Sequence, residues 1–140
     1  MTYINKMSLK FSSLSENEAF ARLAVASFCA NKIKDIEIIS DIKTAVSEAV
    51  TNAVVHAYEN VLGEIVVNCI LESKKVTIEV IDDGVGIIDV EQAKAPFYTS
   101  KPEMERSGMG FTVMEGFMDK MTIESQYGKG TKITLVKNFN

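Results

Sequence analysis

The stretch IEVIDDGVGIID, residues 78–89, begins like a buried β-strand and then changes character. Its first four residues are apolar or β-branched apart from one glutamate, and two carboxylates follow, Asp82 and Asp83. Gly84 and Gly86 come next, and glycine lets a backbone turn sharply and lets a planar ring approach it. An aspartate held there could accept a hydrogen bond from an exocyclic amine such as that of adenine. For this stretch alone, a tight turn capped by aspartate is the alternative.

The composition is that of an ordinary globular protein. The 140 residues are 46% hydrophobic and 24% charged, which suits one domain, 1–140, with a sizeable core. A net charge of −4 argues against a direct nucleic-acid binder, whose surface would be basic. No apolar run approaches the roughly 20 residues that cross a bilayer, and the N-terminus has no signal-peptide core. We therefore expect a cytoplasmic protein without membrane attachment, with Cys29 and Cys69 as buried thiols.

Hydrophobic periodicity predicts an alternation of strands and helices. Ser15 and Glu18 match a capping box at the start of the first helix. The loop 94–110 is long for a compact chain, which favours a functional role. The order of elements predicts an α+β two-layer sandwich, with one mostly antiparallel mixed sheet and helices on one face. Strands are predicted at about 4–11, 64–72, 75–83, 120–125 and 131–138, and helices at about 16–31, 35–60 and 111–119.

The second predicted helix carries an unusual polar face. Glu48, Asn52 and His56 are spaced four apart and therefore line one side of an α-helix. Alanines occupy the adjacent positions on the helix surface, and their small side chains would let a bulky group approach the backbone. An amide oxygen one turn from a carboxylate suits Mg²⁺, which takes few protein ligands, and the carboxylate could instead act as a general base. A solvated polar stripe is the alternative for this face.

A second glycine motif, RSGMGFTVMEG, opens the third helix at Gly108 and Gly110. Backbone N–H groups at a helix start, together with the positive end of the helix dipole, favour an anion. Lys101 and Arg106 precede it and could both reach a phosphate. A dinucleotide-binding fingerprint would need a third glycine where Val113 stands, and the Gly-Lys-Ser/Thr of a Walker A loop is absent.

Three of these motifs together resemble a known superfamily. ExxxN in EAVTNAVVH is similar to the N box, DDGVGI to the G1 box and SGMGF to the G2 box of the GHKL ATP-binding superfamily. Their order and spacing also agree. The segments ENEAFARLAVASF and FYTSKPEMERSGMGFTVMEGFMD further resemble the anti-sigma factor serine kinases, over essentially the whole chain and most closely the sporulation type.

The resemblance implies roles for individual residues. Glu48 is similar to the N-box acid that activates the attacking hydroxyl, and Asn52 to the Mg²⁺ ligand. Asp82 is similar to the aspartate that binds the adenine amine, and Thr131 to a threonine near the adenine. Arg106 resembles the arginine that meets the γ-phosphate.

The same resemblance extends to the glycine boxes and to a partner surface. Arg22 lies on the helix that resembles the partner-binding surface, with a solvated helix arginine as the alternative. The remaining residues implied in nucleotide binding are Gly84, Gly86, Lys101, Ser107, Gly108, Met109 and Gly110.

The implied function is twofold. The chain would bind and inhibit a sporulation sigma factor of the sigma-F type, and would use Mg-ATP to phosphorylate a serine of an anti-anti-sigma factor, yielding ADP. A homodimer is implied. The alternatives are a general-stress anti-sigma kinase and a nucleotide-gated sigma-binding module without kinase activity. A histidine-kinase catalytic domain is disfavoured, because the only histidine, His56, lies inside the N box.

Overall fold

The computed structural model describes residues 2–58, 61–95 and 110–140. Five strands and four α-helices form there, and the second helix continues into a short π-helical turn. The strands are β1 (Ile4–Ser12), β2 (Glu64–Glu72), β3 (Lys75–Asp82), β4 (Lys120–Gln126) and β5 (Gly130–Asn138). The helices are α1 (Asn17–Cys29), α2 (Ile36–Asn52) with the π turn Ala53–Ala57, α3 (Val90–Lys94) and α4 (Gly110–Phe117).

The strands form one sheet in the order β1-β2-β3-β5-β4. Every pairing among the described strands is antiparallel, so the predicted antiparallel sheet is confirmed and its mixed character is not. The β4–β5 hairpin follows α4 and docks with β5 against β3. This order places Asp82, the last residue of β3, directly opposite Thr131 near the start of β5.

The helices pack on one face of the sheet, as the sequence predicted. Strands β2 and β3 alternate strictly between buried and half-buried residues, because successive side chains point to opposite faces. The buried face meets the apolar stripe of α2, and α1 and α4 pack on either side of that helix. The fully buried side chains at the centre of this layer are Ile42, Val46, Val50, Ile65, Leu71, Ile78 and Leu135.

Three local details differ from the sequence prediction. Helix α1 begins after Glu16, which makes no side-chain capping bond, so the capping box expected from Ser15 is wrong. The long second helix is α-helical only as far as Asn52 and then widens into a π turn. The short helix α3 was not predicted, although the Asp89 carboxylate caps it by accepting from the Gln92 N–H at 3.1 Å.

The two cysteines lie in the core, as predicted. Both are free thiols with no exposed surface, and their sulfur atoms are 4.0 Å apart between α1 and β2. The hydrogen bond with the Cys29 sulfur, and then burial, raise the pKa of Cys69 far above that of an ordinary thiol. Within the described ranges, no helix is both long enough and apolar enough to span a membrane.

Candidate functional site

A cleft opens between the end of α2, the end of β3 and the start of β5. Its empty volume, counted together with the open solvent at its mouth, is about 360 Å³. Polar side chains on its wall are Asn52, His56, Asp82 and Thr131, and the rest of the wall is glycine and small or aliphatic residues. An apolar cleft with a few convergent polar groups is the usual form of a small-molecule site.

Asp82 is the most unusual group in the cleft. Its side chain is only 7% exposed, and its Oδ1 accepts from the Gly84 N–H at 2.9 Å. Burial raises the pKa of the Asp82 carboxyl above the ordinary aspartate value, and hydrogen bonds from the Gly84 and Thr131 backbone only partly oppose this. The structure therefore holds a desolvated acceptor at the end of a central strand, as a site for a ligand donor would require.

The loop after Asp82 is held between two other elements. On one side, the Val85 N–H donates to the Ala57 carbonyl at the end of the π turn, at 2.8 Å. A Cβ on Gly84 would overlap the same carbonyl, so the close approach requires glycine there. On the other side, the Gly128 N–H donates to the Val85 carbonyl at 2.6 Å. Gly86 has a positive φ of 77°, which favours glycine.

Behind the cleft, Ser125 of β4 links the loop to β5. Its Oγ accepts from the Ile87 N–H at 2.7 Å and lies 2.8 Å from the Thr131 Oγ1. The Gly130 carbonyl is 3.1 Å from the same oxygen. Sequence reasoning did not identify Ser125, because a single serine in a strand has no spacing signature. Only the folded hairpin brings it to Ile87, in the loop that follows Asp82.

Tyr58 anchors the loop at a third point, just after the π turn. Its hydroxyl donates to the Glu64 carbonyl at 2.6 Å and accepts from the Asp83 N–H at 2.9 Å. Burial is the largest cause of a raised pKa at the Tyr58 hydroxyl, and the nearby Asp82 and Asp83 carboxylates add to it. The phenol therefore stays protonated and keeps its donor role at neutral pH.

The polar face of the second helix reaches the cleft in part. Asn52 and His56 line the wall, and the small residues Ala49, Ala53 and Ala57 lie beside them. This arrangement agrees with the predicted access of a bulky group to the backbone. Glu48 is half-buried one turn before Asn52 and is not among the residues that line this wall.

Several predicted site residues cannot be placed. Lys101, Arg106, Ser107, Gly108 and Met109 lie outside the described residues. Gly110, the last glycine of that motif, is the first residue of α4, in agreement with the prediction that the motif opens a helix. The other predicted residues are Asn52, Asp82, Gly86 and Thr131 on the cleft wall, Gly84 in the adjoining loop and Arg22 on α1.

The donor set fits a hard cation that is shared with a ligand. In the described part of the chain, no three histidine, cysteine or acidic side chains cluster as a metal cage. Asn52 offers one amide oxygen at the wall, and Glu48 lies one turn away on the same helix. Mg²⁺ is commonly held by one or two protein oxygens together with phosphates and water, so these residues are compatible with it.

Comparison with known proteins first shows the broad class of protein to which the chain belongs. A family described as the histidine kinase-like ATPase domain matches residues 11–137. Among solved structures, the RsbU and RsbW domains of a Mycobacterium tuberculosis protein align with a TM-score of 0.70 at 22% identity, over 96% of this chain and 32% of that one. The mycobacterial sensor histidine kinase MprB aligns with a TM-score of 0.52 at 14% identity, over 96% and 99%. At these identities the structures show a shared fold.

Relatives of higher sequence identity place the chain in a narrower class of protein. The anti-sigma F factor of Clostridium acetobutylicum is 56% identical over 96% of this chain and 94% of its own length. That of Caldanaerobacter subterraneus subsp. tengcongensis is 56% identical over 98% and 96%. The chain belongs to the histidine kinase-like ATPase domain family, in the branch that contains the anti-sigma F factors.

Proposed function

We propose that this chain is an anti-sigma factor and a protein serine kinase. It would bind and inhibit a sporulation sigma factor of the sigma-F type, and would transfer the γ-phosphoryl group of ATP to a serine of an anti-anti-sigma factor. The single observation that carries the nucleotide part is the buried acceptor Asp82 on the wall of an otherwise apolar cleft. The partner part is supported by relatives named anti-sigma F factor at 53–56% identity.

The base of the nucleotide is proposed to lie against Asp82. A carboxylate is acceptor-only when ionised and so selects a donor such as the exocyclic amine of adenine. Aliphatic neighbours, among them Val80, Ile87 and Ile133, would cover the faces of the ring. A guanine or hypoxanthine base would present a carbonyl oxygen at this point and would be repelled.

The phosphates are proposed to extend towards the start of α4. Gly110 opens that helix, and the N–H groups of a first helical turn favour phosphate oxygens. By resemblance to the family, Lys101, Ser107, Gly108 and Met109 would contribute here, and Arg106 would neutralise charge that develops on the γ-phosphoryl group. These five residues rest on the sequence motif alone.

Transfer would follow the usual course of phosphoryl chemistry, in which positioning and charge stabilisation dominate. The partner's seryl oxygen attacks the γ-phosphorus as the bond from that phosphorus to the β-phosphate oxygen breaks, and ADP leaves. Glu48 would accept the proton of the seryl hydroxyl. Asn52, with its amide oxygen at the cleft wall, would hold Mg²⁺, which neutralises phosphate charge when bound.

Partner binding is proposed to use α1. Arg22 is partly exposed and forms an ion pair with Glu18 at 2.9 Å, one turn earlier on the helix. Phe20 and Leu23, three residues apart on the same helix, are 52% and 54% exposed and add large apolar side chains to its surface. A homodimer in the cytoplasm, with protein partners and neither membrane nor nucleic-acid contact, completes the proposal.

A transfer assay tests the proposal as a whole. The full chain is incubated with Mg-ATP and a candidate anti-anti-sigma protein, and the partner is weighed by mass spectrometry. We expect the mass of one phosphate on one serine. Without transfer, nucleotide-dependent retention of a sigma factor would favour the gated binding module, and the absence of both would contradict the proposal.

A further inference from the structure

The Tyr58 side chain joins three parts of the chain beside the cleft. Its hydroxyl donates to the Glu64 carbonyl at the start of β2 and accepts from the Asp83 N–H. Its ring lies against Gly63, where a Cβ would overlap three of the ring carbon atoms. Tyr58 is not among the residues that line the cleft, so its contacts lead away from the cleft rather than into it.

On the cleft side, Tyr58 holds the first peptide group after Asp82. The Asp83 N–H belongs to that group, and a peptide group is planar and stiff. The next two N–H groups of the loop are held as well, one by the Asp82 carboxylate and one by the Ala57 carbonyl. Any movement of Asp82 that accompanies ligand binding therefore reaches the Tyr58 hydroxyl through a single peptide group.

On the other side, Gly63 connects Tyr58 to the start of α1. The Gly63 N–H donates to the Ser13 Oγ, and the Ser13 N–H donates to the Gly63 carbonyl, both at 2.9 Å. The side-chain amide of Asn17, the first residue of α1, donates to the Ser12 carbonyl at 2.9 Å. A continuous series of contacts therefore runs from the edge of the cleft to the first turn of α1, and such series can carry coupling between two sites.

The first turns of α1 carry the proposed partner surface. Phe20 and Leu23 are half exposed there, beside the ion pair of Glu18 with Arg22. The Phe20 ring makes an edge-to-face contact with Phe11 of β1, with 6.3 Å between the ring centroids. A change in how α1 begins against β1 would therefore reorient these side chains together.

We propose that Tyr58 couples the occupancy of the cleft to the partner surface on α1, and that a nucleotide held at Asp82 restrains the start of α1 through Gly63 and Ser13. The inference rests on the proposed function and names the residues by which that site is regulated. Tyr58 touches neither nucleotide nor partner. Because both ligands order the same contacts, each should raise the affinity of the protein for the other, and by the same factor.

Hydrogen–deuterium exchange of the full chain, followed residue by residue by NMR with and without saturating ADP, tests the coupling without a partner. In wild-type protein, ADP should slow exchange at the Ser13 and Gly63 amides by roughly 2- to 10-fold, the range of one neutral hydrogen bond. Tyr58→Phe removes the hydroxyl and keeps the ring. This variant should lose the slowing at Ser13 and Gly63 but keep it at Val85, whose acceptor is the Ala57 carbonyl.

The pattern of slowing separates coupling from a general loss of stability. Equal slowing at Ser13 and Gly63 in wild-type protein and in Tyr58→Phe would overturn the inference alone, as would slowing in wild-type protein at Val85 only. No slowing at Val85 in wild-type protein would mean that ADP is not held at this loop, and the proposed base site would then fail as well.

Two further variants complete the exchange experiment. Tyr127→Phe removes a phenol hydroxyl that is exposed in the β4–β5 turn, and it should behave as wild-type protein does. Ser13→Ala removes the acceptor of the Gly63 N–H at the far end of the series, and it serves if Tyr58→Phe does not fold. It should keep the slowing at Val85 and lose it at the Asn17 amide, and retained slowing at Asn17 would overturn the inference.

Partner affinity tests the consequence for regulation. The Kd of a sigma-F type sigma factor is measured by calorimetry with wild-type protein and with Tyr58→Phe, each with and without saturating ADP. In wild-type protein, ADP should raise the affinity by about 5-fold or more, and in Tyr58→Phe the ratio should fall towards one. A general loss of stability would weaken both affinities and leave the ratio unchanged, which would overturn the inference. A sigma factor that does not bind wild-type protein would overturn the proposed partner surface and the coupling with it.

Discussion

At the scale of single residues, the cleft combines an energetic cost with a binding advantage. Asp82 is desolvated before any ligand arrives, and two backbone groups only partly compensate it. A raised pKa in the folded state means that the ionised carboxylate opposes folding. A ligand amine that donates to this carboxylate would relieve that cost. Sites built in this way commonly sacrifice stability for binding.

Asp82→Asn should therefore raise the stability of the ligand-free protein at neutral pH. In wild-type protein, stability should decline as the pH rises from the ordinary aspartate range through the raised pKa of Asp82, since the unfolded chain then ionises more readily than the fold. The Asp82→Asn variant should lack this decline in stability with rising pH. Urea unfolding of both proteins between pH 4 and pH 7, without nucleotide, measures the difference, and Asp83→Asn at the exposed neighbour is the control.

The same substitution should weaken ADP binding. Losing a hydrogen bond to a charged group costs about 1.5–3 kcal/mol, or roughly 10- to 150-fold in affinity. Isothermal titration of Asp82→Asn and Asp83→Asn with ADP gives the comparison. Equal affinities for these two variants would mean that the base is recognised elsewhere.

Residue types with strong signatures were predictable from the sequence, and those without were not. Asp82, Gly86 and Asn52 belong to short motifs whose spacing is set by local geometry, and all three line the cleft. Ser125 and Tyr58 bind the loop backbone through contacts between residues that are far apart in the chain. A contact of that kind depends on how the sheet is ordered, and no local pattern records it.

At the scale of elements, the loop that follows Asp82, residues 83–87, is tied by hydrogen bonds to two neighbouring elements. It is held by the π turn on one side and by the β4–β5 turn on the other. The sequence predicted the helix that contains Asn52 but not its change to π geometry, because the same residues suit both helix types. The π turn ends at Ala57, whose carbonyl accepts from the Val85 N–H. π turns are often found at functional sites.

Gly84→Ala should disturb this connection. Its Cβ would overlap the Ala57 carbonyl, so the loop must move and the Val85 hydrogen bond must lengthen. We expect a loss of roughly 1–3 kcal/mol in the free energy of unfolding, typical of overpacking, together with weaker ADP binding.

Gly116→Ala provides the matched control in α4. Nothing lies within 4 Å of a Cβ there, and alanine is favoured over glycine in a helix. It should increase the free energy of unfolding by up to about 1 kcal/mol. Urea denaturation measures the free energy of unfolding of both variants. An unchanged value for Gly84→Ala, or a larger loss for Gly116→Ala than for Gly84→Ala, would contradict the predicted contact.

At the scale of the whole molecule, the helix layer is tied to the sheet beyond its apolar core. The Lys137 ammonium of β5 donates to the Phe117 carbonyl at the end of α4, at 2.6 Å, and to the Asp41 carboxylate of α2, at 3.2 Å. The Lys137 and Asp41 side chains are 15% and 23% exposed, so water screens the pair incompletely. This contact joins three elements that enclose the core.

Lys137→Met should lower the free energy of unfolding by about 1–3 kcal/mol, because it leaves the Asp41 carboxylate and the Phe117 carbonyl without this donor. Lys132→Met on the outer face of the sheet removes a more exposed ion pair with Glu79 and should have a smaller effect. Urea unfolding of the two variants measures both. A larger effect at Lys132 would show that the tie to the helix layer is not important for stability.

The architecture itself was largely predictable. Alternating strands, amphipathic helices and the polar turns between them determine two layers with helices on one face. Local sequence patterns do not predict where the β4–β5 hairpin docks, because docking depends on contacts between strands that are far apart in the chain. The observed docking of β5 on β3 aligns Thr131 with Asp82 and so completes the cleft wall.

If the cleft serves a kinase whose general base is Glu48, Glu48→Gln should separate nucleotide binding from phosphate transfer. The amide keeps the size of the side chain but cannot accept the seryl proton, so the variant should bind ADP as wild-type protein does. Phosphate transfer to the anti-anti-sigma serine should fall by roughly 10²- to 10⁴-fold, the usual contribution of a general base. Transfer at the wild-type rate by Glu48→Gln, measured in a single turnover with Mg-ATP, would contradict the account.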